Sequence, residues 1–128
     1  MITLSGDTTF FPDTKRNNKT IINFYSSECP ICMTEIGDII LFAKSNNVNI
    51  IFISADSLVS IQRFASNLDA HIKGIQSKIM FGQVTLQDMN TLFGEFTVPQ
   101  TLVLNEDCTI VGIKKGMVSI KFLRKSFE

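Results

Sequence analysis

"FYSSECPICMTEI", residues 24–36, joins the end of an apolar run to the start of a helical pattern and sets two cysteines three apart at the junction. Upstream, "KTIINFYSS" (19–27) carries Ile21, Ile22, Phe24 and Tyr25 almost without interruption, as a strand covered on both faces requires. From Pro30 onwards Ile31, Ile36, Ile39, Ile40 and Ala43 recur at threes and fours, the period of a helix, until "KSNN" stops it. Cysteines at such a place can be a working dithiol, half of a metal site, or two buried thiols that fall close together.

The alternation continues outward from this stretch. "VNIIFISAD" (48–56) is a second β-branched run, and "DSLVSIQRFASNL" then spaces Leu58, Ile61, Phe64, Ala65 and Leu68 as a helix behind Asp56 or Ser57 as cap. Between Asp69 and Gln83, Gly74 and Gly82 mark turns and "KIMF" reads as a short extended piece. "TLQDMNTLFG" suits a short helix ended by Gly94. "QTLVLNEDCTIVGIKKG" gives two strands around the turn "NED", an antiparallel hairpin, and "VSIKFLRKSF" a closing helix with Ile120, Leu123 and Phe127 on one stripe. Near the start, "TTFFP" reads as an edge strand. The order β-β-α-β-α-α-β-β-α predicts an α/β fold: a central mixed β-sheet flanked by helices on both faces. With no repeat, low-complexity tract or linker, residues 1–128 are expected to form a single domain.

Composition narrows the function. The 128 residues are enough to bury a core, and 12 basic against 12 acidic residues leave no footprint for nucleic acid or an anionic membrane. The basic stretch from Lys114 to Lys125 reads as a solvated amphipathic face. No run approaches the roughly 18 apolar residues of a membrane span, and "MITLSG" is too short and too poorly charged to be expected as a signal peptide. Three cysteines are too few for a disulfide scaffold.

The chemistry then falls on the pair. Cys29 lies where the strand ends and the helix begins, where unpaired backbone N–H groups and the macrodipole favour negative charge. A thiol there has its pKa drawn below the free value of about 8.5 and becomes the better nucleophile. Cys32 lies one turn further in, more buried and within reach of a disulfide to Cys29. Pro30 fits the first helical turn, where its missing N–H costs nothing. Cys29 is thus the attacking thiol and Cys32 the resolving one.

In "IINFYSSECPIC", "NIIFISAD", "VPQTLVLNEDCTIVG" and the terminal helix, the sequence from Lys19 onward resembles the thioredoxin-like superfamily, most closely thiol-disulfide oxidoreductases of the TlpA/ResA kind. The resemblance implies a thioredoxin-like fold and a protein-disulfide oxidoreductase. Its only redox group would be the Cys29–Cys32 disulfide, with no separate cofactor. Its partners would be protein disulfide or thiol clients and an upstream thiol donor. It also implies a bacterial periplasm or cell envelope, with the cytoplasm as the alternative. Val98-Pro99 matches the family's cis-proline loop, an X-Pro bond being the one place where a cis peptide is cheap; the other reading is a trans proline that merely starts a strand. Pro30, Ile31, Val98 and Pro99 are accordingly expected to meet the client. Glu35 matches a glutamate that takes the proton Cys32 must lose; the other reading is a solvated first-turn glutamate favoured by the dipole. Asn23 stands where thioredoxins carry a buried aspartate and is read as structural. The chain departs from the family in lacking a tryptophan before the first cysteine, in Glu95, and in "CPIC" itself.

Several residues lie outside that reading. Cys108 is expected as a buried or half-buried structural thiol, and His71, the only histidine, as a surface loop residue. Phe42, Phe52, Phe64, Phe93 and Phe122 are core material, whereas Phe10, Phe11 and Tyr25 stand between core and a partner surface. The Pro-Ile insert brings no cation to stabilise the thiolate strongly, which points to a reductant rather than an oxidant. Three other readings remain: a Cu(I) or other soft-metal binding or delivery protein using the pair, an inert scaffold, and a peroxidase. Zinc would have to recruit both His71 and Cys108. A peroxidase would want a threonine before the first cysteine, which "FYSSEC" lacks.

Overall fold

The computed structural model describes residues 2–3, 19–72, 79–93, 98–107 and 109–127. Seven residues after Asn18 form β2 (Lys19–Tyr25), preceded by the two-residue β1 (Ile2–Thr3). The chain then runs through α1 (Pro30–Ser45), β3 (Val48–Ser54), α2 (Leu58–Ile72), β4 (Ile79–Gln83) and α3 (Leu86–Phe93). It closes with β5 (Gln100–Leu104), β6 (Ile110–Lys115) and α4 (Ile120–Ser126). The strands form one mixed sheet in the order β1-β4-β3-β2-β5-β6. β2, β3 and β4 are parallel; β5 pairs antiparallel with β2, β6 with β5, and β1 with β4.

The two unbroken apolar runs lie where such runs must lie, at the centre. All seven residues of β3, and all of β2 but Lys19, are buried. Alternation along β2 divides the core in two. Ile21 and Tyr25 join Ile50, Phe52 and Val103 on one face, covered by Ile36, Ile39 and Phe42 of α1, Phe64 and Leu68 of α2, and Leu123 of α4. Ile22 and Phe24 join Ile51, Ile53 and Leu102 on the other, with Val84 and Val98, the residues that bracket the segment carrying α3. Tyr25, Phe52, Phe64 and Phe81 pack ring on ring, with centroids 4.5 to 6.2 Å apart.

The element order departs from expectation at β4. "IMFGQ" is a full strand, and Gly82 is a buried member of it paired to Ile53 and Thr3, not a turn. α2 also runs on to Ile72, so the backbone at His71 is helical rather than a loop. Tyr25 belongs to the core, which removes it from any partner surface. The edge strand expected at "TTFFP", the turn at Gly74, the stop at Gly94, and Phe10, Phe11, Glu95 and Cys108 lie outside the described residues, as does the side chain of Phe93. In the hairpin, Asn105 Oδ1 accepts from the N–H groups of Asp107 and Thr109 and so shapes the turn. No described helix is long and apolar enough to cross a membrane.

α4 closes against β6 at Gly112, where an added Cβ would come 2.7 Å from Ser126 Oγ and 3.3 Å from Phe122 Cζ. Gly112→Val is therefore expected to lower stability by about 1–3 kcal/mol through overpacking, read as a lower urea midpoint at unchanged m-value. A midpoint equal to that of the parent chain would show that α4 does not pack tightly there.

Candidate active site

The fold delivers the dithiol to the carboxyl end of β2. Cys29 is the N-cap of α1 with extended backbone (φ −106°, ψ 102°), and Pro30 follows in the first turn. Its Sγ accepts from the N–H of Cys32 at 3.2 Å, satisfying one of the donors a helix start leaves open. Cys29 and Cys32 are joined as a disulfide across a Cα separation of 5.3 Å, within the usual span for such a bond. Cys32 is fully buried, whereas Cys29 is half-buried at the edge of the core. Any negative charge left on Cys29 by reduction would face the N–H already aimed at it and the positive end of a 16-residue helix.

The turn that presents Cys29 is fastened from the loop that follows β3. Cys29 N–H donates to Ser26 O at 3.1 Å, and Ser27 N–H to Asp56 Oδ2 at 2.9 Å. Asp56 is held in turn, its own N–H on Ser54 Oγ and its carbonyl accepting from Gln83 Nε2. Ser57 Oγ, not Asp56, caps α2 by accepting from Ser60 N–H. Sequence reasoning offered Asp56 only as that cap. Its bond to Ser27 joins loops 29 residues apart and leaves no local signature.

Glu35 is not the solvated first-turn residue that was one of its two readings: it is fully buried on α1, three residues after Cys32. Asn23 Nδ2 donates to its Oε1 at 2.6 Å, and Val118 N–H to its Oε2 at 2.7 Å. Burial is the larger influence and raises the pKa of Glu35 above the usual carboxylate value; Asp38 pushes the same way, and the two donors oppose it in part. Asn23 is itself fully buried and gives its second amide hydrogen to Thr101 Oγ1 at 3.0 Å. Thr101 and Val118 escaped sequence reasoning because neither type advertises a role.

The other expected client-contact positions divide by exposure. Pro30 and Ile31 are on the surface, Ile31 at 54% exposure, so it stands outside the apolar stripe that the spacing suggested. The Val98–Pro99 peptide is cis, as the sequence led us to expect. Val98 is half-buried and Pro99 buried, with Pro99 O accepting from Gly116 N–H at 2.9 Å. Because Gln100 pairs with Phe24, Pro99 lies at the same end of the sheet as the turn leading to Cys29. Among the described residues, no three His, Cys, Asp or Glu side chains gather as a metal site. Cys108 and the side chain of His71 lie outside them.

The AhpC/TSA family model matches residues 3–113. Among solved structures, StoA from Bacillus subtilis is 22% identical with a TM-score of 0.63, the match covering 100% of this chain and 94% of that one. The exposed lipoprotein thioredoxin of Streptococcus pneumoniae is 15% identical at a TM-score of 0.68, covering 98% and 93%. A secreted thiol-disulfide isomerase from Corynebacterium glutamicum is 16% identical at 0.70, covering 98% and 78%. At these identities the likeness establishes the thioredoxin-like fold. No curated protein matched by sequence.

A carboxyl whose folded pKa lies above its unfolded value contributes most to stability below the unfolded value, and loses that contribution as pH rises through the folded one. The oxidised protein should therefore lose stability relative to Glu35→Gln across that interval. Urea midpoints of both proteins at a series of pH values measure it; parallel curves would mean that Glu35 titrates as in the unfolded chain.

Proposed function

The chain belongs to the AhpC/TSA family, and from that premise we propose that it is a thiol-disulfide oxidoreductase that reduces disulfides of protein clients through Cys29 and Cys32. One observation carries the reading: a half-exposed sulfur at a helix N-cap, receiving a backbone N–H, is bonded to a fully buried partner one turn away. In the reduced protein the Cys29 thiolate attacks one sulfur of a client disulfide, and the other client sulfur leaves as a thiol. Cys32 then loses its proton and attacks Cys29 Sγ, the mixed disulfide breaks, and the client departs with both electrons. Cys29–Cys32 is left oxidised, and an upstream thiol donor restores it.

Glu35 is the proton acceptor for Cys32. It shares a helical face with that cysteine, has no contact with water, and has a carboxyl shifted towards the range where proton exchange near neutrality is efficient. Pro30 and Ile31 offer the exposed rim, and half-buried Val98, next to buried Pro99, the opposite wall, to an extended client segment. The insert Pro30-Ile31 brings no cation to the thiolate, which favours work as a reductant. Structural relatives described as a secreted isomerase and an exposed lipoprotein favour a place outside the cytoplasm. Soft-metal delivery has no observation in its favour. A peroxide site of the threonine-before-cysteine type is not supported, since Ser26-Ser27-Glu28 precede Cys29.

Cys32→Ser should retain clients as mixed disulfides on Cys29, released by dithiothreitol and absent from Cys29→Ser. Equal recovery from both variants would defeat the assigned roles. Glu35→Gln should slow client release from the mixed disulfide by about 10²-fold at neutral pH, in line with loss of a general base. Stopped-flow release at unchanged speed would remove Glu35 from the mechanism.

A further inference from the structure

The pair beneath the dithiol holds an unpaired group. Asn23 Nδ2 is saturated, one hydrogen on Glu35 Oε1 and one on Thr101 Oγ1, while Asn23 Oδ1 is buried without a hydrogen-bond partner. Asn23 and Thr101 are direct partners in the β2–β5 ladder and, with Glu35, are fully buried. We infer that Asn23 is a positioning residue for Glu35: its carboxamide, keyed by Thr101, turns end for end as Glu35 gains or loses a proton, and so holds the carboxyl in one place in both states. The inference rests on the reading of Glu35 as proton acceptor.

The chemistry of each neighbour leads there. An ionised carboxylate only accepts hydrogen bonds, and the recorded orientation serves it with a donor on each oxygen. A protonated carboxyl must place one O–H. The Val118 backbone N–H faces Oε2 and can only donate, so the proton belongs on Oε1, facing Asn23. A fixed Nδ2 would then oppose that O–H, donor against donor. Rotating the amide by half a turn exchanges its two ends without changing its shape. Oδ1 then accepts the Glu35 O–H, and the Thr101 hydroxyl, able to donate as well as accept, turns to donate to it. One polar end of the amide stays unpaired in either orientation, Oδ1 beside the carboxylate and Nδ2 beside the protonated carboxyl. Asp38, one turn along α1, is a like charge that raises the pKa of Glu35. From β2 the neighbouring titratable group is the Tyr25 phenol, which burial holds neutral. Thr101 of β5 does not titrate, and Lys114 of β6, its ladder partner, is exposed. Cys29 and Cys32 are bonded in this state.

The test is NMR titration of the oxidised protein, following the Glu35 carboxyl carbon and the Asn23 side-chain amide. In the parent chain both signals should move with one midpoint. Asn23→Leu removes a bond from each protonation state, but the charge-assisted one to the carboxylate is the stronger, so the Glu35 midpoint should rise by about one pH unit, a tenfold change in proton affinity. Thr101→Val should raise it in the same direction by less, and Thr101→Ser should restore it. Asn23 amide signals that ignore the Glu35 titration would overturn the inference, as would a Glu35 midpoint left in place by Thr101→Val. The Thr101 pair decides the matter should Asn23→Leu fail to fold. These readouts involve no turnover, so they stand or fall separately from the effect of Glu35→Gln on client release.

Discussion

A carboxyl group without access to water must find donors or stay protonated, and at Glu35 that requirement organises the molecule. Its donors come from the central strand and from the residue two beyond the Gly116 turn. The helix bearing the dithiol is thereby fixed to the sheet on one side and to the approach to α4 on the other. An unpaired buried carboxyl is costly enough that displacement of α1 along its axis is strongly opposed. The spacing of three then carries Cys32 to the same buried face. The group that fixes the helix thus lies on the same helical face as Cys32.

The two cysteines acquire separate characters from position alone. Cys29 has the end of a helix, a donated N–H and a half-open surface; Cys32, one turn later, has hydrocarbon and no exposure. Asp56 fastens the turn before Cys29 to the loop that follows β3, so the Cys29 sulfur follows a turn whose backbone is held from outside as well as within. Exchange chemistry needs this division, since a dithiol with two equivalent sulfurs would have no assigned order of attack and resolution.

Legibility followed the kind of signal. β2 and β3 were plain because a strand buried on both faces spells itself as an apolar run. α1, α2, α4 and the hairpin were plain from period and turn residues. β4 was not: Gly82 reads as punctuation, and nothing local shows that a glycine will pair between Ile53 and Thr3. Tyr25 stood undecided between surface and core until the rings of Phe52 and Phe64 closed on it. Ile31 fitted a helical stripe by number, yet the helix starts at Pro30 with that side chain turned to solvent. Periodicity gives the angle between side chains, not the face that meets the sheet.

By itself the sequence determined the α/β class, the order of the elements other than β4, the placing of two cysteines at a strand-to-helix junction, and the proline before β5, because these reside in neighbours a few residues apart. Only the tertiary structure decided that Glu35 is buried and which groups receive it. The bonds that settle this span 12 residues to Asn23 and 83 to Val118, with Thr101 a further 78 residues from Asn23. Whether a carboxyl meets water or an amide depends on what the sheet brings beside it, and no local pattern carries that information.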